Sequence, residues 1–416
     1  MMKRKNIYFL AIACIILIII YSGIRILKTQ IGDSELSNKL NALIEDGLKQ
    51  ELFPGAVLLI AQNGEIRHRK AYGLAQKYSF GRIALEKPES MSAEHLFDVA
   101  SMTKVFATTF GIMLLVDRGK LELDDFLHKY IDKFAEGEKR KIMIRHLLSH
   151  RAGLVPWKPV YYHASNKAES LDYISSLPLQ YPVGTERHYS DLGFMILGYI
   201  IEEITGKSLD LYLKEELYDP LELYNTTFRP LSRNYKKIAA TSHGNPFERR
   251  MIADDNFGYK CDENPDDFHK WRCYTLKGEV NDGNAFYAHG GIAGHAGLFS
   301  TVDDLKILAD LLVNKGLFNG KIYIAPETVE TFLRKDEFDN GLGWSFNPKF
   351  IKAEGAPEGT FGHTGFTGCN VVVIPAKKTI IILLTNRQNE GLGESGDYPD
   401  LNLLRRNIVR TVLGEI

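Results

Sequence analysis

The sequence predicts an α+β fold in which one antiparallel sheet is assembled from the two ends of the chain. Three observations carry this expectation. A strand–turn–strand pattern stands near the start, a second stands near the end, and helical periodicity dominates between them. Alternating strand–helix units, the pattern of a parallel sheet, do not appear.

The first residues are unlike those of a soluble protein. Lys3, Arg4 and Lys5 precede an uncharged, mainly apolar run from Ile7 to Ile24, followed by Arg25 and Lys28. As a helix this run spans about 27 Å, close to the ~30 Å hydrocarbon core of a bilayer, and snorkelling of Arg25 covers the shortfall. Tyr21-Ser22-Gly23 offers no clear small-x-small cleavage site. The reading is an N-terminal membrane anchor over residues 1–28, its basic end cytoplasmic and the rest of the chain outside. The alternatives are a cleaved signal with release of the domain, or lipidation at Cys14.

Ser34 to Leu52 then reads as an amphipathic helix, with Leu36, Leu40, Leu43, Ile44 and Leu48 on one face. It makes residues 29–50 a connecting helix ahead of a main domain at 51–416. Ala56 to Ala61 reads as a strand, Asn63-Gly64 as a hairpin turn and Glu65 to Tyr72 as the return strand. Val105, Phe106, Phe110, Met113 and Leu114 carry the spacing of a helix with one buried face, which Gly119 stops. Leu121 to about Tyr224 forms a helical lobe inserted into the sheet, and within it Leu192 to Ile204 is a helix with Asp191 near its cap. A further helix covers Thr301 to Asn314. The second strand pair is Asn370 to Ile374 and Thr379 to Leu384, turning at Pro375-Ala376-Lys377-Lys378. A helix from Leu401 to Leu413 closes the chain.

Composition narrows the function. Hydrophobic content of 44% and charged content of 25% are those of a globular protein. A net charge of −1, with no basic tract, gives no expectation of nucleic-acid binding. The four cysteines include no Cys-x-x-Cys pair, so no structural zinc is expected. In an outward-facing domain Cys261 and Cys273 are candidates for a disulfide across a short polar loop, and Cys369 reads as a small core residue.

The chemistry centres on Phe97-Asp98-Val99-Ala100-Ser101-Met102-Thr103-Lys104. Three apart at a helix start, Ser101 and Lys104 would be neighbours, as an activated nucleophile and its base require. The lysine is useful as a base only where burial or another cation depresses its ordinary pKa of about 10.4. A second stretch, Tyr189-Ser190-Asp191, lies on a loop at a helix start. A third, His363-Thr364-Gly365-Phe366, precedes a strand; its glycines permit close approach of a ligand, and its N–H groups can face an oxyanion. Gly290-Gly291-Ile292-Ala293-Gly294-His295-Ala296-Gly297 is glycine-rich but lacks the ending of a nucleotide loop. His289, His295 and His363 show no metal-ligand spacing, and no metal or cofactor is expected.

Ser101-x-x-Lys104, Tyr189-x-Asp191 and His363-Thr364-Gly365, in this order, resemble the motifs of the serine β-lactamase and penicillin-binding protein superfamily. The segment Leu147-Leu148-Ser149-His150-Arg151-Ala152-Gly153-Leu154 is similar to one in its class C branch. Tyr-Ser-Asp and Gly-His-Ala-Gly-Leu-Phe-Ser look most like the penicillin-binding protein 4B type. The resemblance implies a five-stranded antiparallel sheet flanked by helices, beside an all-helical lobe, with the site between. It implies Ser101 as the acylated nucleophile, Lys104 and Tyr189 in proton transfer, and the N–H groups of Ser101 and Phe366 as oxyanion hole. Asp191, His363, Thr364 and Gly365 would bind substrate. Two residues depart from the superfamily pattern. Asp191 stands for the usual asparagine, where a carboxylate would raise Lys104 or favour a cationic substrate group. His363 stands for the usual lysine, weakening the charge that holds a substrate carboxylate. The implied activity is that of a D-alanyl-D-alanine carboxypeptidase-like serine hydrolase on cell-wall peptides. An esterase, a D-aminopeptidase, a weak β-lactamase or a silent peptidoglycan-binding module are the alternatives.

Overall fold

In the computed structural model the described residues are 35–254 and 256–415. The apolar run at 7–24 and Cys14 lie outside them. Among the described residues no helix is long and apolar enough to cross a membrane.

Six antiparallel strands form the main sheet. In chain order they are β1 (Gly55–Gln62), β2 (Glu65–Ser79), β3 (Ile83–Ser90), β4 (Phe361–Thr364), β5 (Asn370–Ile374) and β6 (Thr379–Thr385). Their spatial order is β4-β5-β6-β1-β2-β3. β1 sits in the interior, with Val57 opposite Leu384 on one side and opposite Ala71 on the other. Both ends of the chain thus meet at its centre.

β1 is apolar without alternation because both its faces are covered. Ala56, Leu58 and Ile60 pack beneath α1 (residues 35–49) and α5 (Asn402–Glu415), against Leu36, Leu40, Ile44, Leu404 and Ile408. Val57, Leu59 and Ala61 face the larger core on the other side, with α4 (Val302–Val313). The amphipathic face of α1 is therefore spent on the sheet: this helix is a structural layer and not a connector.

A further difference from expectation has a simple cause. The sheet has six strands, since β2 continues to Ser79 and pairs with β3. β3 is Ile-Ala-Leu-Glu-Lys-Pro-Glu-Ser, charged and almost wholly exposed, so it carries no strand pattern; Pro88 is tolerable because the strand is an edge. Cys261 and Cys273 are not joined by a disulfide.

The segment between β3 and β4 carries the nucleophile helix, whose last turns are α2 (Phe110–Asp117), and α3 (Asp191–Thr205). Ser190 caps α3, its hydroxyl accepting the Gly193 N–H at 3.3 Å. Gly206, at φ 65°, ends it in the left-handed conformation.

Candidate active site

Ser101 stands one residue before a helix that opens at Met102 and is π-wound over Lys104–Thr109. Such windings recur at functional sites. Ala100 has a φ of 47°, a conformation a non-glycine residue adopts only when its surroundings enforce it. The enforcement comes from Asp98. One carboxylate oxygen accepts the Ala100 N–H at 2.9 Å and the other the Asn281 N–H at 2.6 Å. Burial pushes the Asp98 carboxyl up to about 6.

Lys104 is fully buried, and its Nζ donates to Ser101 Oγ at 3.2 Å and to the His295 carbonyl at 3.1 Å. The same nitrogen lies 2.7 Å from Asp191 Oδ1. Burial works to lower this lysine, but the charge of Asp191, joined by Tyr189, outweighs it and holds the ammonium above its ordinary range. Of the two consequences foreseen for a carboxylate at 191, the raised lysine is therefore present. The glycine-rich stretch delivers the His295 carbonyl. A Cβ on Gly294 would fall 2.0 Å from the Phe194 carbonyl of α3, so only glycine passes there.

Tyr189 lies over Lys104, the ammonium 4.9 Å from its ring centre. Burial raises its phenol, despite the neighbouring ammonium, so the hydroxyl keeps its proton at neutral pH. His150 positions it. The His150 Nδ1 accepts the Ser190 N–H at 3.0 Å, and its ring centre is 4.5 Å from that of Tyr189. Burial keeps this imidazole neutral, far below its ordinary value.

β4 brings the third stretch alongside. Gly365 touches the nucleophile turn so closely that a Cβ would sit 2.4 Å from the Val99 carbonyl. The Thr367 hydroxyl donates to the Asp98 carbonyl at 2.7 Å, tying the two segments together. Among the described residues, the N–H groups of Ser101 and Phe366 donate to no protein acceptor. Arg387 donates to the Phe366 carbonyl, on the far side of that residue from its N–H. Thr364, half-buried, takes the His363 Nδ1–H on its carbonyl at 2.8 Å. His363 itself is 2% exposed, and burial, then the charge of Lys104, push it down to about 3. It is a neutral buried ring beside Tyr189 and Phe350 and supplies no fixed cation.

A cavity of about 410 Å³ opens beside Ser101. Trp157, Phe247, Tyr259 and Phe366 line part of its wall, and Asp191, Glu248 and Asp282 another. Among the described residues no lysine, arginine or histidine side chain lines it. Asp191, Asp282 and His295 bring ligand atoms within 4.8 Å of one another. The charges there already have partners: Lys104 on Asp191, and the His295 Nε2–H on Asp282 at 2.9 Å. His289 and His363 are not part of this group.

Sequence reasoning missed Asp98, the positioning role of His150, and the pair Glu248 and Asp282. Asp98 and His150 stood inside quoted motifs. Nothing marked the other two.

The Beta-lactamase family signature matches residues 40–404. Among curated relatives, the N-acetylmuramyl-L-alanine amidase of Bacillus subtilis (strain 168) is 35% identical over 370 residues, 84% of this chain and 80% of that protein. A protein of Escherichia coli (strain K12) named "Putative D-alanyl-D-alanine carboxypeptidase" is 35% identical over 380 residues, covering 83% of each. Among solved structures, the octameric penicillin-binding protein homologue of Pyrococcus abyssi aligns with a TM-score of 0.65 at 21% identity, covering 91% of this chain and 77% of that one. A class C beta-lactamase of Rhodobacter sphaeroides aligns at 0.63 and 17%, covering 91% and 100%. At these identities the two structures speak for the fold.

Proposed function

Since the chain belongs to the beta-lactamase family and is a serine hydrolase, we propose that it cleaves an amide bond of cell-wall peptides through an acyl-enzyme on Ser101. The observation that carries this is the 3.2 Å contact between Ser101 Oγ and a buried Lys104, beside two uncommitted N–H groups and an open cavity. The substrate carbonyl oxygen enters between the N–H groups of Ser101 and Phe366, each worth ~3 kcal/mol in the barrier. Ser101 Oγ forms the bond to the carbonyl carbon, and its proton goes to Lys104 in the amine form. Tyr189 gives its proton to the departing nitrogen as the C–N bond breaks. Water then attacks the ester carbonyl, giving a proton to the Tyr189 phenolate, and as the C–O bond to Ser101 breaks Lys104 returns its proton to Oγ. Asp191 governs how much of Lys104 is amine, so activity rises toward alkaline pH.

The named relatives suggest two bonds: D-alanyl-D-alanine, and the amide joining the muramyl group to L-alanine. The first needs a cation for the substrate's terminal carboxylate. Neutral His363 and an acidic cavity wall favour the second. Residues 1–28 anchor the enzyme, with the domain on the outer face, a reading supported by the apolar run and its basic flank.

A fluorophosphonate or labelled penicillin should attach to the wild type and not to Ser101→Ala; equal labelling of both refutes the assignment. Mass spectrometry of defined muropeptides then separates release of D-alanine from release of the whole peptide.

A further inference from the structure

The cavity beside Ser101 is lined by both carboxyl groups and aromatic rings, and together they define what fits. Glu248 is 9% exposed; its carboxylate accepts the Gly283 N–H at 2.7 Å and the Tyr161 hydroxyl at 3.3 Å. Asp282, next to it, accepts the Ala285 N–H at 2.7 Å and the His295 Nε2–H at 2.9 Å on one oxygen. Asp191 is matched by Lys104 and one oxygen of Asp282 by His295, so the acidic groups left to the cavity are Glu248 and the second oxygen of Asp282. Burial and the charge of Asp282 push Glu248 above the usual carboxylate range, while His295 holds Asp282 below it. Both carboxyls line the cavity, and among the described residues no lysine, arginine or histidine lines it beside them. Arg272, the nearest guanidinium, is 5% exposed and spends its N–H groups on Asn245 and the carbonyls of Val280 and Asn281. Trp157, Tyr189, Phe247, Tyr259 and Phe366 line the same cavity, aromatic surfaces that attract a desolvated cation.

We propose that this pocket is a specificity site for an ammonium group on the substrate, held between the carboxylates of Glu248 and Asp282 and the ring of Tyr259. The inference rests on the serine-hydrolase reading. It adds that the favoured substrate carries a primary amine, as a diamino-acid side chain or a free amino terminus does, within a few bonds' reach of the scissile carbonyl.

The test compares three p-nitrophenyl esters of matched length: 6-aminohexanoate, its N-acetyl derivative, and the mono-ester of adipic acid. They present an ammonium, a neutral and a carboxylate end. The expected kcat/KM for the ammonium ester exceeds the neutral one by about tenfold or more, with the carboxylate ester lowest. In E248Q/D282N this preference falls to about one, and in Tyr259→Leu, which leaves the carboxylates untouched, it drops several-fold. Equal rates on all three esters, or a preference that survives both changes, overturn the proposal. An independent arm measures binding of n-hexylammonium, hexanamide and hexanoate by calorimetry on Ser101→Ala. The ammonium should bind tightest, and equal affinities overturn the proposal even where no ester is cleaved. Failure of every ester together with no labelling of Ser101 would instead defeat the hydrolase reading.

Discussion

Replacing Asp191 by asparagine tests the electrostatics of the site directly. The ion pair at 2.7 Å joins a lysine with no exposed surface to a carboxylate that is 18% exposed. At an effective dielectric near 20, unit charges at that separation attract by about 6 kcal/mol, equivalent to roughly four pKa units. In Asp191→Asn that attraction is gone and burial, the largest influence, is opposed only by Tyr189, so Lys104 should fall below its ordinary value. The acid limb of the kcat/KM profile on a neutral ester should move down by at least about two pH units, and the rate at pH 7 should rise. Stability supplies a second readout. In the wild type Lys104 is raised, so its contribution is full below an unfolded pKa of about 10.4 and fades only above that. In the variant the folded pKa lies below the unfolded one, so stability should climb as pH rises toward about 10. Thermal melts across pH 6–10 and a pH–rate series read both. An unmoved limb with a large loss of rate would refute the reasoning, and would mean that the carboxylate itself takes the serine proton.

Three further outcomes follow from the geometry. Gly365→Ala should force β4 away from the Val99 carbonyl and misplace the Phe366 N–H; acylation measured by fluorophosphonate labelling should slow by ~100-fold or more, with a fall in melting temperature. Asp98 titrates near 6 when folded against about 3.9 unfolded, so the folded state binds more protons between those values and loses roughly 2–3 kcal/mol as pH rises through them. Urea midpoints should show that slope in the wild type, flattened in Asp98→Asn. His150→Ala removes the acceptor for Ser190 and the ring beside Tyr189; kcat should drop by ~10–100-fold with KM little changed, and a KM effect alone would contradict a positioning role.

Local chemistry was legible wherever it rested on spacing. The 101–104 interval placed a serine beside a lysine, Asn63-Gly64 marked a hairpin, and the apolar run at 56–61 marked a buried strand. What escaped depends on contacts distant in sequence. β3 is invisible because an edge strand needs no apolar face. The face of α1 was seen, but not that α5, more than 350 residues later, completes its layer. Asp98 stood in plain view beside Ser101, yet its work is to hold the backbone of Asn281. Glu248 reaches the cavity from a short helix, Pro246–Ala253, and Asp282 from a loop, and no motif in the sequence marks either. Lys104 was expected to need a depressed pKa, and the opposite shift follows from one neighbour 87 positions away.

The pairing of β1 with β6 joins residues more than three hundred positions apart, and the oxyanion peptide at 366 comes from the same late part of the chain. A nascent polypeptide therefore holds its serine and lysine long before it owns a central strand partner or the second N–H. Folding of this kind is slow to begin and all-or-none in its yield of activity. Any product ending before about residue 385 would be catalytically mute, however complete its 101–104 motif, and full-length chain must be released before the first bond can be cut.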